Sequence, residues 1–122
     1  MAQILVVDDE LDIRIMLKKM LERDKHNVSL ADDGTSALKF LTEKQPDIMI
    51  TDLIMPDKEG IETIMEVRKK YPDIKIIAIS GGGRMGPTSY LHLAKGIGAN
   101  HTLTKPFSQT ELLNAVEDLL KN

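Results

Sequence analysis

Cysteine is absent from this chain of 122 residues, which excludes disulfides and any thiolate zinc site and leaves a reducing compartment open. No apolar run is long enough to span a membrane, and the N-terminus meets acidic residues too soon to serve as a signal peptide. A cytoplasmic protein without a membrane partner is therefore expected. There is no basic excess either: 16 Lys and Arg face 19 Asp and Glu, for a net charge of -3. Phosphate backbones would on average be repelled, which argues against a general nucleic-acid-binding role. Low-complexity segments, linkers and internal repeats are also missing, and the length suits one domain over residues 1–122.

What is present is an alternation. Residues 3–8 form a β-branched and Leu run that stops at Asp8-Asp9-Glu10, and Ile13, Met16, Leu17, Met20 and Leu21 then follow at helical spacing. Residues 26–31 are strand-like, Asp33-Gly34 turns the chain, and Ala37, Leu38 and Leu41 mark a second helix face. Pro46 precedes Ile48-Met49-Ile50, a short run apolar on both faces that ends at Asp52. Ile61, Ile64 and Met65 line a third helix, and Tyr71-Pro72-Asp73 breaks the chain before residues 74–80, a strand ending at Ser80. A glycine-rich stretch follows, then a helix marked by Tyr90, Leu93, Ala94 and Ile97 and weakened by Gly96 and Gly98. Residues 100–104 form a fifth strand, and the last helix opens on a Ser108-x-x-Glu111 capping box with Leu112, Leu113, Val116, Leu119 and Leu120 as its core side. Such units build an α/β fold, a parallel five-stranded sheet with helices on both faces joined by right-handed crossovers.

In a parallel sheet the carboxyl ends of the strands share one rim. Asp8 with Asp9, Asp52, Ser80 and Lys105 would then converge. Two carboxylates about 4 Å apart repel by roughly 4 kcal/mol at an effective dielectric near 20, so three of them call for a cation. Lys105 supplies one. A hard ion such as Mg2+, which takes carboxylate oxygens, water and substrate phosphate, suits the remainder. Asp52 could serve as a nucleophile toward a phosphoryl group while Ser80 donates a hydrogen bond.

Val6-Val7-Asp8-Asp9-Glu10, Asp52 with Met55-Pro56 and Gly60, Ser80-Gly81 and Lys105-Pro106-Phe107, in this order, resemble the receiver domain of two-component response regulators, chemotaxis-type and single-domain. The resemblance runs from Gln3 to the last helix. It implies a three-layer, doubly wound, flavodoxin-like fold with strand order 2-1-3-4-5. It implies that Asp52 accepts a phosphoryl group from a histidine kinase or histidine phosphotransfer protein, that Asp9 and Asp52 bind Mg2+ directly with Asp8 acting through water, and that the backbone carbonyl of Ile54 completes the ligands. Ser80 and Lys105 would hold the phosphoryl oxygens, Gly81 would leave access to them, and Lys105-Pro106 would be cis. Phosphorylation would alter binding to a downstream protein target, with the domain a monomer or weak dimer and regulatory in kind, having only its own phosphorylation and dephosphorylation chemistry. Where the family carries an aromatic switch residue beside the Ser80 hydroxyl, this chain has Thr102, which has no ring to move.

Other readings compete with parts of this set. Asp8-Asp9 alone suits a helix N-terminus, Lys105 alone a solvated surface and Ser80 alone a turn. The methionines, Met16, Met20, Met49 and Met65 among them, fall at core spacings. Of His26, His92 and His101, only His101 shares a strand with Lys105 and so stands near the rim. Gly81-x-Gly83-x-x-Gly86 matches a dinucleotide pattern, but it follows the fourth strand and no acid closes the next strand, so a mobile loop is the expectation. A Mg2+-dependent aspartyl phosphatase wants a second acid two residues after Asp52, where Ile54 stands. A flavin carrier would meet repulsion from Asp8-Asp9, and a pseudo-receiver acting only as an interaction module would have no need of the full acid set.

Overall fold

The computed structural model describes residues 2–53, 60–80, 92 and 95–121. Nine elements follow in order: β1 (Gln3–Val7), α1 (Leu11–Arg23), β2 (Asn27–Ala31), α2 (Gly34–Glu43), β3 (Ile48–Asp52), α3 (Gly60–Lys70), β4 (Lys75–Ser80), β5 (His101–Thr104) and α4 (Gln109–Leu120). The strands form one sheet in the order β2-β1-β3-β4-β5, every pair parallel. Of the expected helix between β4 and β5, His92 and residues 95–97 are helical, whereas Tyr90, Leu93, Ala94 and the glycine stretch of residues 81–86 lie outside the described residues.

Strand alternation divides the apolar side chains between two cores. Ile4, Val6, Ile48, Ile50, Ile77, Ile79 and Leu103 pack with Leu17 and Leu21 of α1 and with Leu112, Ala115, Val116 and Leu119 of α4. Their neighbours Leu5, Val7, Met49, Ile76 and Ala78 pack with Ala37 and Leu41 of α2 and Ile64 and Val67 of α3. The central strands β1, β3 and β4 are thus apolar on both faces because helices cover both, and each fully buried aliphatic side chain contributes about 1.5–3 kcal/mol. The result is the three-layer doubly wound architecture expected from the sequence.

Helix boundaries follow local chemistry. The Asp33 side chain accepts from the Ser36 N–H at 2.7 Å and so caps α2, placing Gly34 inside the helix. Ser108 and Glu111 form the expected reciprocal capping box at α4, which satisfies two otherwise unpartnered donors. Three expectations are corrected. Met65 is 53% exposed and Leu120 42%, because each directly follows a buried residue, Ile64 or Leu119, and one residue turns a helix by about 100°. His101 begins β5 opposite Ile77 while Ser80 pairs with Thr104, so it stands roughly 10 Å below the rim at the usual rise per strand residue. His26, in contrast, is buried, its Nδ1 accepting from the Ala2 N–H at 3.0 Å.

Candidate phosphoacceptor site

Three backbone bonds bring the strand ends level. Asp8 N–H donates to the Ala31 carbonyl at 3.2 Å, Leu53 N–H to Ile79 at 3.0 Å and Lys105 N–H to Ser80 at 2.8 Å. Asp8 follows β1, Asp52 ends β3, Ser80 ends β4 and Lys105 follows β5, so all four occupy the carboxyl edge of the sheet. Asp8 and Ser80 are fully buried and Asp52 nearly so.

Alternation sets which of them meet. Asp8, Asp52 and Lys105 continue the series Ile4-Val6, Ile48-Ile50 and Leu103, all on the α1/α4 face, and their side chains converge. Lys105 Nζ lies 3.3 Å from Asp52 Oδ2 and 3.6 Å from Asp8 Oδ2, bridging the two carboxylates. Ser80 continues Ile76 and Ala78 on the opposite face, and Thr102, half-buried on β5 opposite Ala78, shares that parity. The Lys105-Pro106 peptide is cis.

The electrostatics follow from this crowding. Burial pushes the Asp8 carboxyl up to about 6. A hydrogen bond from the Glu10 N–H and the charge of Lys105 oppose that rise, while Asp52 and Asp9 add to it. Burial alone would lower the Lys105 pKa, but the pull of Asp52 and then of Asp8, with the hydrogen bond to Asp52, leaves it raised. Lys105 is therefore held charged between two acids.

Among the described residues, Asp8 Oδ2 and Ser80 Oγ are buried without a hydrogen-bond partner. An unsatisfied buried polar atom costs about 1–3 kcal/mol, so the Ser80 hydroxyl stands out at this rim, whereas Asp8 Oδ2 keeps its ion pair with Lys105. Among the described residues, Asp8, Asp9 and Glu10 can each turn a carboxylate oxygen to within 4.8 Å of the others, Asp8 buried and the other two exposed. Glu10 thus enters the acid group with Asp8 and Asp9, and Lys105 links Asp8 of that group to Asp52. Ile54 and Gly81 lie outside the described residues. Arg14, which no sequence pattern singled out, donates from Nη1 to the Asp8 carbonyl at 2.6 Å and ties the β1–α1 turn to the first helix.

The protein is thus an α/β domain with a doubly wound parallel sheet and a lysine bridging two carboxylates at its carboxyl edge. The response regulator receiver domain family matches residues 4–117, and the chain belongs to that family. It is similar to a receiver domain protein from Clostridium thermocellum, with 32% identity and a TM-score of 0.91, covering 99% of this chain and 95% of that one. TrrA of Thermotoga maritima, solved in complex with Mg2+–BeF, is 34% identical with a TM-score of 0.86, over 98% of this chain and 99% of that one. NtrX of Brucella abortus is 30% identical with a TM-score of 0.91; the match takes 98% of this chain but only 27% of NtrX. Receiver domains interact with histidine kinases or phosphotransfer proteins and generally bind Mg2+ at an acidic pocket; among the described residues Asp8, Asp9 and Glu10 form an acidic cluster. Among the described residues, no helix is long and apolar enough to cross a membrane.

Proposed function

We propose that Asp52 is the phosphoacceptor of this receiver domain, taking a phosphoryl group from a histidine kinase or histidine phosphotransfer protein and so altering affinity for a downstream protein. The observation that carries the reading is the Asp8–Lys105–Asp52 bridge, with contacts of 3.6 and 3.3 Å. One fixed cation beside a nearly buried carboxylate is what a reaction that brings more negative charge to that carboxylate requires.

The donor set fits Mg2+, since hard carboxylate oxygens gather at Asp8 and Asp9 and, among the described residues, the buried Asp8 Oδ2 has no hydrogen-bond partner. Asp8, Asp9 and Asp52 would hold the ion, with the Ile54 carbonyl as the further ligand. When bound, Mg2+ would neutralise charge on the phosphoryl oxygens. TrrA, similar over nearly its whole length, was solved with Mg2+–BeF, which supports this assignment.

In the proposed step a carboxylate oxygen of Asp52 attacks phosphorus, the bond from phosphorus to the donor histidine nitrogen breaks, and the electron pair leaves with that nitrogen. An acyl phosphate remains on Asp52. Lys105 keeps its charge and pairs with phosphoryl oxygens, and the Ser80 hydroxyl donates to another, gaining a partner that it does not have among the described residues.

Intact mass after incubation with Mg2+ and phosphoramidate tests the reading on wild type and Asp52→Asn. A gain of one phosphoryl group in wild type alone is expected. No gain in either protein would leave a domain that acts only by binding partners.

A further inference from the structure

Gly60 opens α3 with no room for a side chain. A Cβ at this position would lie 2.0 Å from the Asp52 carbonyl oxygen, 2.6 Å from Leu53 Cα and 2.9 Å from the Asp52 carbonyl carbon. All three atoms are backbone, so no flexible side chain can yield. The Gly60 N–H donates to the Leu53 carbonyl at 3.0 Å, and the Leu53 N–H in turn donates to Ile79 of β4. The start of α3 therefore presses against the peptide that joins Asp52, the last residue of β3, to Leu53. Close approach of backbone to backbone is the use to which glycine is suited.

We propose that Gly60 is a positioning residue for Asp52: the missing Cβ lets α3 brace the Asp52–Leu53 peptide and so holds the Asp52 carboxylate at Lys105. The inference rests on Asp52 being the phosphoacceptor. Alanine would need the brace to open by at least 1 Å, since real Cβ contacts essentially never fall below 3.0 Å. A displacement of about 1 Å at a reacting group can cost on the order of 100-fold in rate. Helix propensity points the other way, because alanine is about 1 kcal/mol better than glycine in a helix. A brace and a mere helix position thus give opposite outcomes.

The test compares wild type with Gly60→Ala and Glu62→Gly, using Ile64→Ala as a control for general destabilisation of α3. Each is followed at a temperature where it is folded, by the rate of phosphoramidate labelling with Mg2+ and by the 13C shift of the Asp52 carboxyl carbon. Gly60→Ala is expected to label about 100-fold more slowly and to shift the Asp52 signal. Ile64→Ala should keep both near wild type despite a lower melting temperature. Glu62→Gly, at an exposed first-turn position, loosens the brace without filling it and should label several-fold more slowly, which decides the matter if Gly60→Ala does not fold. Wild-type labelling in either Gly60→Ala or Glu62→Gly, or an equal loss in Ile64→Ala, overturns the proposal. Should wild type itself take no phosphoryl group, the phosphoacceptor reading fails, and an unmoved Asp52 signal in Gly60→Ala then overturns the brace separately.

Discussion

Arg68 of α3 holds the carbonyl of Gly98 with two nitrogens, Nε at 3.2 Å and Nη2 at 2.8 Å, across thirty residues of sequence. The same guanidinium donates to the carbonyls of Pro72 and Ile74 and to Asn100 Oδ1, which also accepts from the Ile76 N–H. Gly98 is at φ +126°, and a Cβ there would meet Arg68 Cγ at 2.9 Å. The clamp fixes the approach to β5, the strand that leads into Lys105. Arg68→Ala is expected to lower stability by about 2–4 kcal/mol, from several charge-assisted hydrogen bonds lost together. Arg68→Lys should recover less than half, since an ammonium cannot fork onto separated carbonyls. Denaturant unfolding of the three proteins measures this, and a full recovery by lysine would refute the forked clamp.

The buried Asp8 carboxyl gives a pH signature in metal-free protein. Its folded pKa, about 6, stands above the ordinary 3.8, so between these values the folded state binds more protons than the unfolded state. Stability from this group is complete below pH 4 and is lost as pH rises through 6. The loss is up to about 3 kcal/mol for two pKa units. Asp8→Asn removes the titration, so the variant should match wild type near pH 4 and exceed it by a few kcal/mol at pH 7 in EDTA. A constant difference across that range would exclude Asp8 as the source.

Mg2+ held as proposed would compete with that same proton. Affinity for Mg2+, measured by calorimetry, should therefore weaken below about pH 6 in wild type. Asp9→Ala should lower it at every pH, since the exposed Asp9 belongs to the same acid group. Unchanged Mg2+ binding in Asp9→Ala would remove the metal assignment.

Lys105 bridges both acids, and its removal separates two roles. Lys105→Ala leaves Asp8 and Asp52 to repel one another, a setting in which a divalent cation is still favoured, so Mg2+ affinity should stay within several-fold of wild type. The response to beryllofluoride, which mimics the phosphoryl group, should fall much further because its charge-assisted contact is gone. Equal losses in both would argue against this division.

The response to phosphorylation should begin at Ser80. Among the described residues its buried Oγ has no hydrogen-bond partner, and phosphoryl oxygens would supply one, favouring the conformation in which that bond is made. Thr102 has no ring to relay the change, so amide exchange with beryllofluoride should alter most over residues 81–97 and little in α1. Changes centred on Thr102 and Thr104 instead would defeat this route.

Much of this was legible in the order of residues alone. Apolar runs of strand length alternate with helical stripes, and that alternation determines a parallel sheet because each strand buried on both faces needs helices on both sides. With the strands parallel, Asp8, Asp52, Ser80 and Lys105 had to share one edge, since each stands at the end of its run. Tertiary packing decided the remainder. Met65 and Leu120 satisfy a loose apolar count, but each lies one helical step from a buried neighbour, and which side of the stripe faces the sheet is set by how the helix docks, which leaves these two exposed and Thr63 buried. The bridging of Asp8 and Asp52 by Lys105, with Ser80 on the opposite face, depends on the register of four strands. Gly60 on the Asp52 peptide and Arg68 on Gly98 are contacts between backbone and distant chain. Local periodicity carries no information about such separations, because where a crossover brings the chain back is set by how helices pack on the sheet.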